Sequence, residues 1–160
     1  MIKCLFVVHL MNILIIQTTC AMYDINTNEW KYIENMNKER SGLSVQKWKE
    51  KNNNIICVGG YNDGYPLNVV EEYDFLKQKW IELPNTIDVH RSCGIYILNQ
   101  IIYVFGSGYH SKRDNFGIFE KYDTREREKK WIKIDELSKL FNFTKNDCEK
   151  RYFGRVIYIK

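Results

Sequence analysis

The chain has 160 residues, of which 44% are apolar, 14% aromatic and 28% charged. That is one folded domain's worth of apolar material, too rich in rings for disorder and too short for an enzyme with separate cofactor and substrate halves. The net charge of +4 is uneven: residues 1–111 hold ten Lys/Arg against eleven Asp/Glu, so the excess lies in the last third, with acids interleaved as in Arg125-Glu126-Arg127-Glu128. Such a segment reads as a solvated mixed-charge face, not as the basic stripe of a nucleic-acid binder.

In chain order, residues 1–18 form an apolar segment, with Leu5 to Ile16 interrupted only by His9 and Asn12. It has the look of a signal peptide ending at Thr19-Cys20-Ala21, and equally of buried strands, and it is too short to span a bilayer. Cleavage after Ala21 would cut directly before Tyr23-Asp24, which belongs to a repeated phrase, and this favours strands. Two strands are then expected over 19–36, four over 40–83, four over 91–134 and one over 151–159. The richness in Tyr, Phe and Trp with only two prolines supports β structure, since rings and branched side chains fit a pleated surface. Leu137, Leu140 and Phe141 stand at near-helical spacing, so a short helix is expected near 135–142.

The strongest signal is internal repetition. Tyr23-Asp24, Tyr73-Asp74 and Tyr122-Asp123 recur at intervals of 50 and 49 residues. A tryptophan follows each: Trp30 and Trp80 seven residues after the tyrosine, Trp131 nine after. An arginine comes next, with a glycine two or three residues on, in Arg40-Ser41-Gly42, Arg91-Ser92-Cys93-Gly94 and Arg151-Tyr152-Phe153-Gly154. Apolar runs ending in glycine, Ile55–Gly60 and Ile101–Gly106, lie between the arginine and the next Tyr-Asp.

This order resembles the kelch repeat, a propeller signature with a period of about 50 residues, most closely over Asn54–Leu83. The resemblance implies an all-β fold: a fragment of a kelch-type β-propeller built from four-stranded antiparallel blades. The chain then divides into the apolar segment 1–18, the outer strands of a partial blade at 19–39, full repeats at 40–90 and 91–150, and the first strand of a further blade at 151–160. The second full repeat carries a long loop after Trp131. About three blades do not close a ring, which implies missing blades or self-association.

In kelch domains that recruit protein segments, the arginine opening the innermost strand and the aromatic after the diglycine line one rim of the channel. Carried over by position, these are Arg40 and Arg91 with neighbours Ser41 and Ser92, then Tyr61, Tyr109 and His110. Such a set suits an acidic or phosphorylated peptide, because arginine offers a planar fork to carboxylate or phosphate. The competing reading is that the arginines bond carbonyls within the blade. Many relatives join kelch blades to a BTB domain and act as substrate adaptors for ubiquitin ligases, and others bind actin.

No nucleophile elbow or phosphate-binding loop occurs, so the expected function is a non-enzymatic protein-interaction scaffold without metal or cofactor. The alternative is a secreted galactose-oxidase-like or carbohydrate-binding propeller. It would use the signal-like start and the Asn142 sequon, with copper on blade histidines such as His90 and His110. Cys4, Cys20, Cys57, Cys93 and Cys148 are odd in number and widely spaced, and read as reduced thiols of a cytoplasmic protein.

Overall fold

The structure is a computed structural model that describes residues 19–24, 26–106 and 118–136. The segments 1–18, 107–117 and 137–160, with the expectations placed on them, lie outside the described residues. The described chain is all-β, as its composition and repeats indicate. Of the helix expected near 135–142 only the first two positions fall inside, and Asp135 and Glu136 take helical backbone geometry.

Strands β1 (Cys20–Asp24) and β2 (Glu29–Ile33) form an antiparallel pair. The next sheet holds β3 (Ser44–Trp48), β4 (Asn54–Val58), β7 (Val70–Asp74) and β8 (Lys79–Leu83) in the order β3-β4-β7-β8. Between β4 and β7 a small hairpin projects, made of β5 (Tyr61–Asn62) and β6 (Tyr65–Pro66). A second four-stranded sheet runs β9 (Gly94–Leu98), β10 (Ile101–Phe105), β11 (Phe119–Asp123) and β12 (Trp131–Lys133), each strand antiparallel to the one before it.

The repeated phrases now have physical causes. The aspartate of each Tyr-Asp opens a turn, its Oδ1 accepting the N–H two residues on: Asn26, Leu76 and Arg125. The tyrosine stands directly across the hairpin from the tryptophan, with ring centroids 5.2, 5.2 and 5.3 Å apart in the three copies. A pair of this kind contributes about 0.5–1.5 kcal/mol beyond its buried area. Asn99 and Gln100 close the β9–β10 hairpin, both at positive φ as a two-residue turn matched to strand twist requires.

The sheets stack face to face. Trp48, Ile56, Val58 and Val70 of the first full sheet meet Ile95, Ile102, Val104, Tyr122 and Trp131 of the second. On its other face Ile55, Cys57, Tyr73 and Trp80 meet Cys20 and Met36 of the first pair and its exit. With both faces covered, β4 and β7 are buried at every position, which is why Ile55–Val58 is a continuous apolar run instead of an alternating one. Each junction is sealed by an indole: Trp80 Nε1 donates to the Glu34 carbonyl at 2.8 Å, and Trp131 Nε1 to that of Pro84 at 2.7 Å. Strands β3 and β9 face one another across the second junction, as the innermost strands of adjacent propeller blades do.

Candidate functional site

Each of the two connections between sheets buries one basic residue, Arg40 in the first and His90 in the second. Arg40, just before β3, is fully buried, with Nη2 2.6 Å from Glu71 on β7 and 3.9 Å from the Met36 sulfur. Its Nε and Nη1 find no acceptor among the described residues. The other Glu71 oxygen accepts the Asn37 N–H at 2.8 Å, so this carboxylate clamps the connection against the sheet. Burial holds the Glu71 carboxyl above its ordinary range, against the opposing pull of Arg40 and Asn37. Burial likewise lowers the Arg40 guanidinium, and Glu71 offsets part of that. Both ions lose hydration here, so the pair locates the connection more than it stabilises the fold.

The second junction repeats this plan with a different cation. Glu120 on β11 accepts the N–H groups of Ile87 at 2.7 Å and Asp88 at 2.8 Å. It also faces His90 Nε2 at 3.1 Å, and His90 Nδ1 lies 2.5 Å from the Gly106 carbonyl. Arg40 and His90 are therefore equivalent, and the register of the second junction puts Arg91 opposite Ser41 and Ser92 opposite Gly42. The backbone agrees, since Gly42 (φ 58) and Ser92 (φ 52) share the left-handed conformation. The two arginines aligned by sequence thus occupy different places. Arg40 lies inside its blade, where an open pocket was expected; Arg91 lies one position further on, half-buried at the rim.

At that rim the structure brings together Ser41, Gly42, Tyr61, Arg91 and Ser92. Ser41 and Tyr61 exchange backbone hydrogen bonds at 2.9 and 2.7 Å, and Ser92 N–H donates to the Gly42 carbonyl at 2.8 Å. The Arg91 guanidinium lies over the Tyr61 ring, 4.2 Å from its centroid. The Ser41 hydroxyl donates to the Tyr61 carbonyl at 3.4 Å, while Ser92 is exposed. No acidic side chain among the described residues pairs with Arg91, and its face is held by the ring. Tyr109 and His110 lie outside the described residues.

Gly59 is what lets the second connection reach this rim. A Cβ there would stand 2.1 Å from the His90 carbonyl, at φ +66, and the next N–H, that of Gly60, donates to that carbonyl at 2.7 Å. The diglycine is therefore a docking point for the following connection, a role its place at a strand end does not reveal. Sequence reasoning also missed His90, Glu71 and Glu120 as a set. The available signal was a glutamate two residues before the tyrosine in two of the three copies.

Two other features bear on chemistry. A cavity of ≈ 660 Å³ lies between β1–β2 and the first full sheet, lined by Met22, Tyr32, Ile55 and Tyr73 among others, and it contains none of the rim residues. Burial pushes the Cys20 and Cys93 thiols up to about 11 and Cys57 higher still, which keeps them protonated.

The Kelch motif family model matches residues 51–86. Human Kelch-like protein 23 is 30% identical over 101 residues, covering 63% of this chain and 17% of that protein. The Caenorhabditis elegans Kelch repeat-containing protein kel-10 is 26% identical over 90 residues, covering 55% of this chain and 16% of its own length. Kelch repeat protein C2 of Vaccinia virus (strain Western Reserve) is 31% identical over 86 residues, covering 54% and 16%. The chain thus spans about a sixth of the length of these relatives. Repeated Tyr-Asp and Trp landmarks, stacked four-stranded antiparallel sheets and these similarities together show that the chain carries a Kelch motif over residues 51–86 and is built like blades of a kelch-type β-propeller.

Proposed function

We propose that the chain contributes a non-enzymatic recognition surface, and that the rim around Arg91 takes an acidic or phosphorylated segment of a partner protein. The coarser part has direct support, because kelch repeats and kelch-like relatives mark a protein-interaction propeller module. The observation that carries the finer part is the Arg91–Tyr61 stack. Stacking fixes the guanidinium plane without consuming its N–H donors, so little side-chain entropy remains to be lost when a carboxylate or phosphate arrives. Ser41 and Ser92 flank the same point with hydroxyls.

Arg40 has a supporting part in this reading, holding the connection that delivers Ser41 to the rim. Within a larger assembly the module would serve as a substrate adaptor of the ubiquitin-ligase kind. The free thiols Cys57 and Cys93 favour a reducing, cytoplasmic setting. A copper-oxidase role is disfavoured by His90, whose two ring nitrogens are engaged by Gly106 and Glu120.

The test is binding of fluorescent phosphoserine- and glutamate-rich peptides to the chain and to Arg91→Ala. Loss of one charge-assisted bidentate contact should weaken binding by about tenfold or more. Tyr61→Leu, which removes the ring under the guanidinium, should weaken it by a smaller factor. Equal affinity of Arg91→Ala and the unaltered chain would remove the rim from consideration.

A further inference from the structure

We propose that the second junction is a proton-operated clasp, in which His90 ties the crossing to two neighbouring strands while its ring carries two protons and releases one of them when it carries one. This goes beyond rim recognition and is independent of it, since it concerns protons inside the stack. His90 is fully buried between two acceptors. Its Nδ1 lies 2.5 Å from the Gly106 carbonyl, just past β10, and its Nε2 3.1 Å from Glu120 Oε1 on β11. A backbone carbonyl only accepts, so Nδ1 donates there. Glu120 is engaged as an acceptor at both oxygens, Oε2 taking the Ile87 N–H and Oε1 the Asp88 N–H. Both ring nitrogens thus face acceptors, and only the imidazolium has two N–H groups to give.

The other groups near the crossing are already engaged. Asp88, on the crossing itself, pairs with Lys133 of β12 at 2.5 Å, and Lys133 also lies within electrostatic reach of Glu120. The Arg91 guanidinium turns to the Tyr61 ring, and burial keeps the Cys93 thiol protonated. The first sheet and its hairpin meet His90 through backbone: the Gly60 N–H donates to the His90 carbonyl at 2.7 Å, and the His90 N–H donates to the Leu67 carbonyl at 2.8 Å. Among the described residues, Glu120 is therefore the charged group that faces the ring.

When the proton leaves, the neutral ring keeps a single N–H. Either the Gly106 carbonyl or Glu120 then faces a ring lone pair in a place closed to water, and an acceptor left unpaired there weakens the crossing. A group that gains its partners only in the protonated form adds stability that is complete on the acid side and lost as pH rises through its deprotonation. The first junction supplies the contrast. Arg40 occupies the equivalent place opposite Glu71, and a guanidinium keeps its proton across the range in which an imidazole releases one. One crossing responds to protons and its counterpart does not. Arg91 directly follows His90, so the same proton governs how firmly the crossing carries that residue to the Tyr61 ring.

The experiment is NMR of the isotope-labelled full chain from about pH 5 to 9, a span that brackets the charge change of an imidazole. Ring nitrogens are read in a chain carrying His9→Gln and His110→Gln, so that every ring signal belongs to His90. Far-UV circular dichroism confirms that this variant is folded like the parent. At about pH 6 both ring nitrogens should carry protons, and at the alkaline end only one. Amide exchange, measured on the unaltered chain, reads the clasp itself. From the acid to the alkaline end, the Ile87 and Asp88 N–H groups, held by Glu120, should accelerate about tenfold more than the Asn37 N–H, held by Glu71. A bare ring nitrogen at about pH 6 overturns the proposal, as does a ring that keeps both protons to the alkaline end. Exchange of Ile87 and Asp88 that rises with pH no faster than that of Asn37 overturns it as well.

Discussion

The two internal junctions hold their connections by one plan and two chemistries. In the first, Glu71 grips one backbone N–H and the long guanidinium of Arg40. In the second, Glu120 grips two backbone N–H groups, and His90 spans from that carboxylate to the Gly106 carbonyl. The common element is the buried carboxylate aimed at the chain crossing between blades. The cation is a local solution, and histidine ties in a second strand end that arginine does not reach. Alignment on the arginine therefore puts the repeat one residue out of register at this point, with a buried residue matched to a rim residue.

Removing the carboxylates breaks this comparison most strongly. Glu120→Leu should destabilise by about 3–5 kcal/mol, since it orphans two buried N–H groups and leaves His90 without its partner. Glu71→Leu should fall at the lower end of that range, with one N–H and the Arg40 cation left unpaired. Urea denaturation of both variants gives the order. Adding Arg40→Met to Glu71→Leu should recover most of the loss, because an apolar pair leaves no buried charge; failure to recover would mean that Arg40 supports the fold through other contacts.

Gly59 sharpens the comparison from the backbone side. Gly59→Ala drives a Cβ into the His90 carbonyl and should cost about 3 kcal/mol or more. At Gly106 (φ +88) an added Cβ meets nothing within 4 Å, so alanine there should cost only its conformational strain, about 1 kcal/mol. Similar thermal midpoints for the two variants would show that the diglycine does not carry the second connection.

The smallest effect lies at the far ends of the same strands. The Arg125 side chain and N–H hold the Asp123 carboxyl at about 2, below its ordinary 3.8. A depressed acid contributes stability that is complete above the unfolded value and disappears as pH falls through the folded one. Asp123→Asn should therefore flatten the stability profile between about pH 4 and 2, with a small loss at neutral pH, because the group is exposed and screened, and little change below about pH 2. An unaltered acid limb would assign that loss to other carboxyls.

Much of the fold was legible in the sequence because its causes are local. An aspartate closes a turn with the N–H two residues on, and a tyrosine meets a tryptophan across a hairpin; both contacts recur at fixed spacing in a linear chain. Continuous apolar runs such as Ile55–Val58 disclosed burial on both faces. The rim was legible only in part. Arg91, Ser92, Ser41 and Tyr61 do come together, but the role of Arg40 depends on Glu71, 31 residues away, and no local pattern states which glutamate will face it.

The sequence by itself determined the repeat, the strand succession and the apolar content of each blade, because turn chemistry and side-chain alternation act over a few residues. Only the tertiary structure decided which charged residues are interior and which stand at the rim. That choice rests on the stacking of one sheet upon the next, which moves one end of a connection away from water and leaves the adjacent residue beside it. A shift of a single residue along the crossing, from His90 to Arg91, separates a side chain that fastens two blades from one stacked on Tyr61 at the rim.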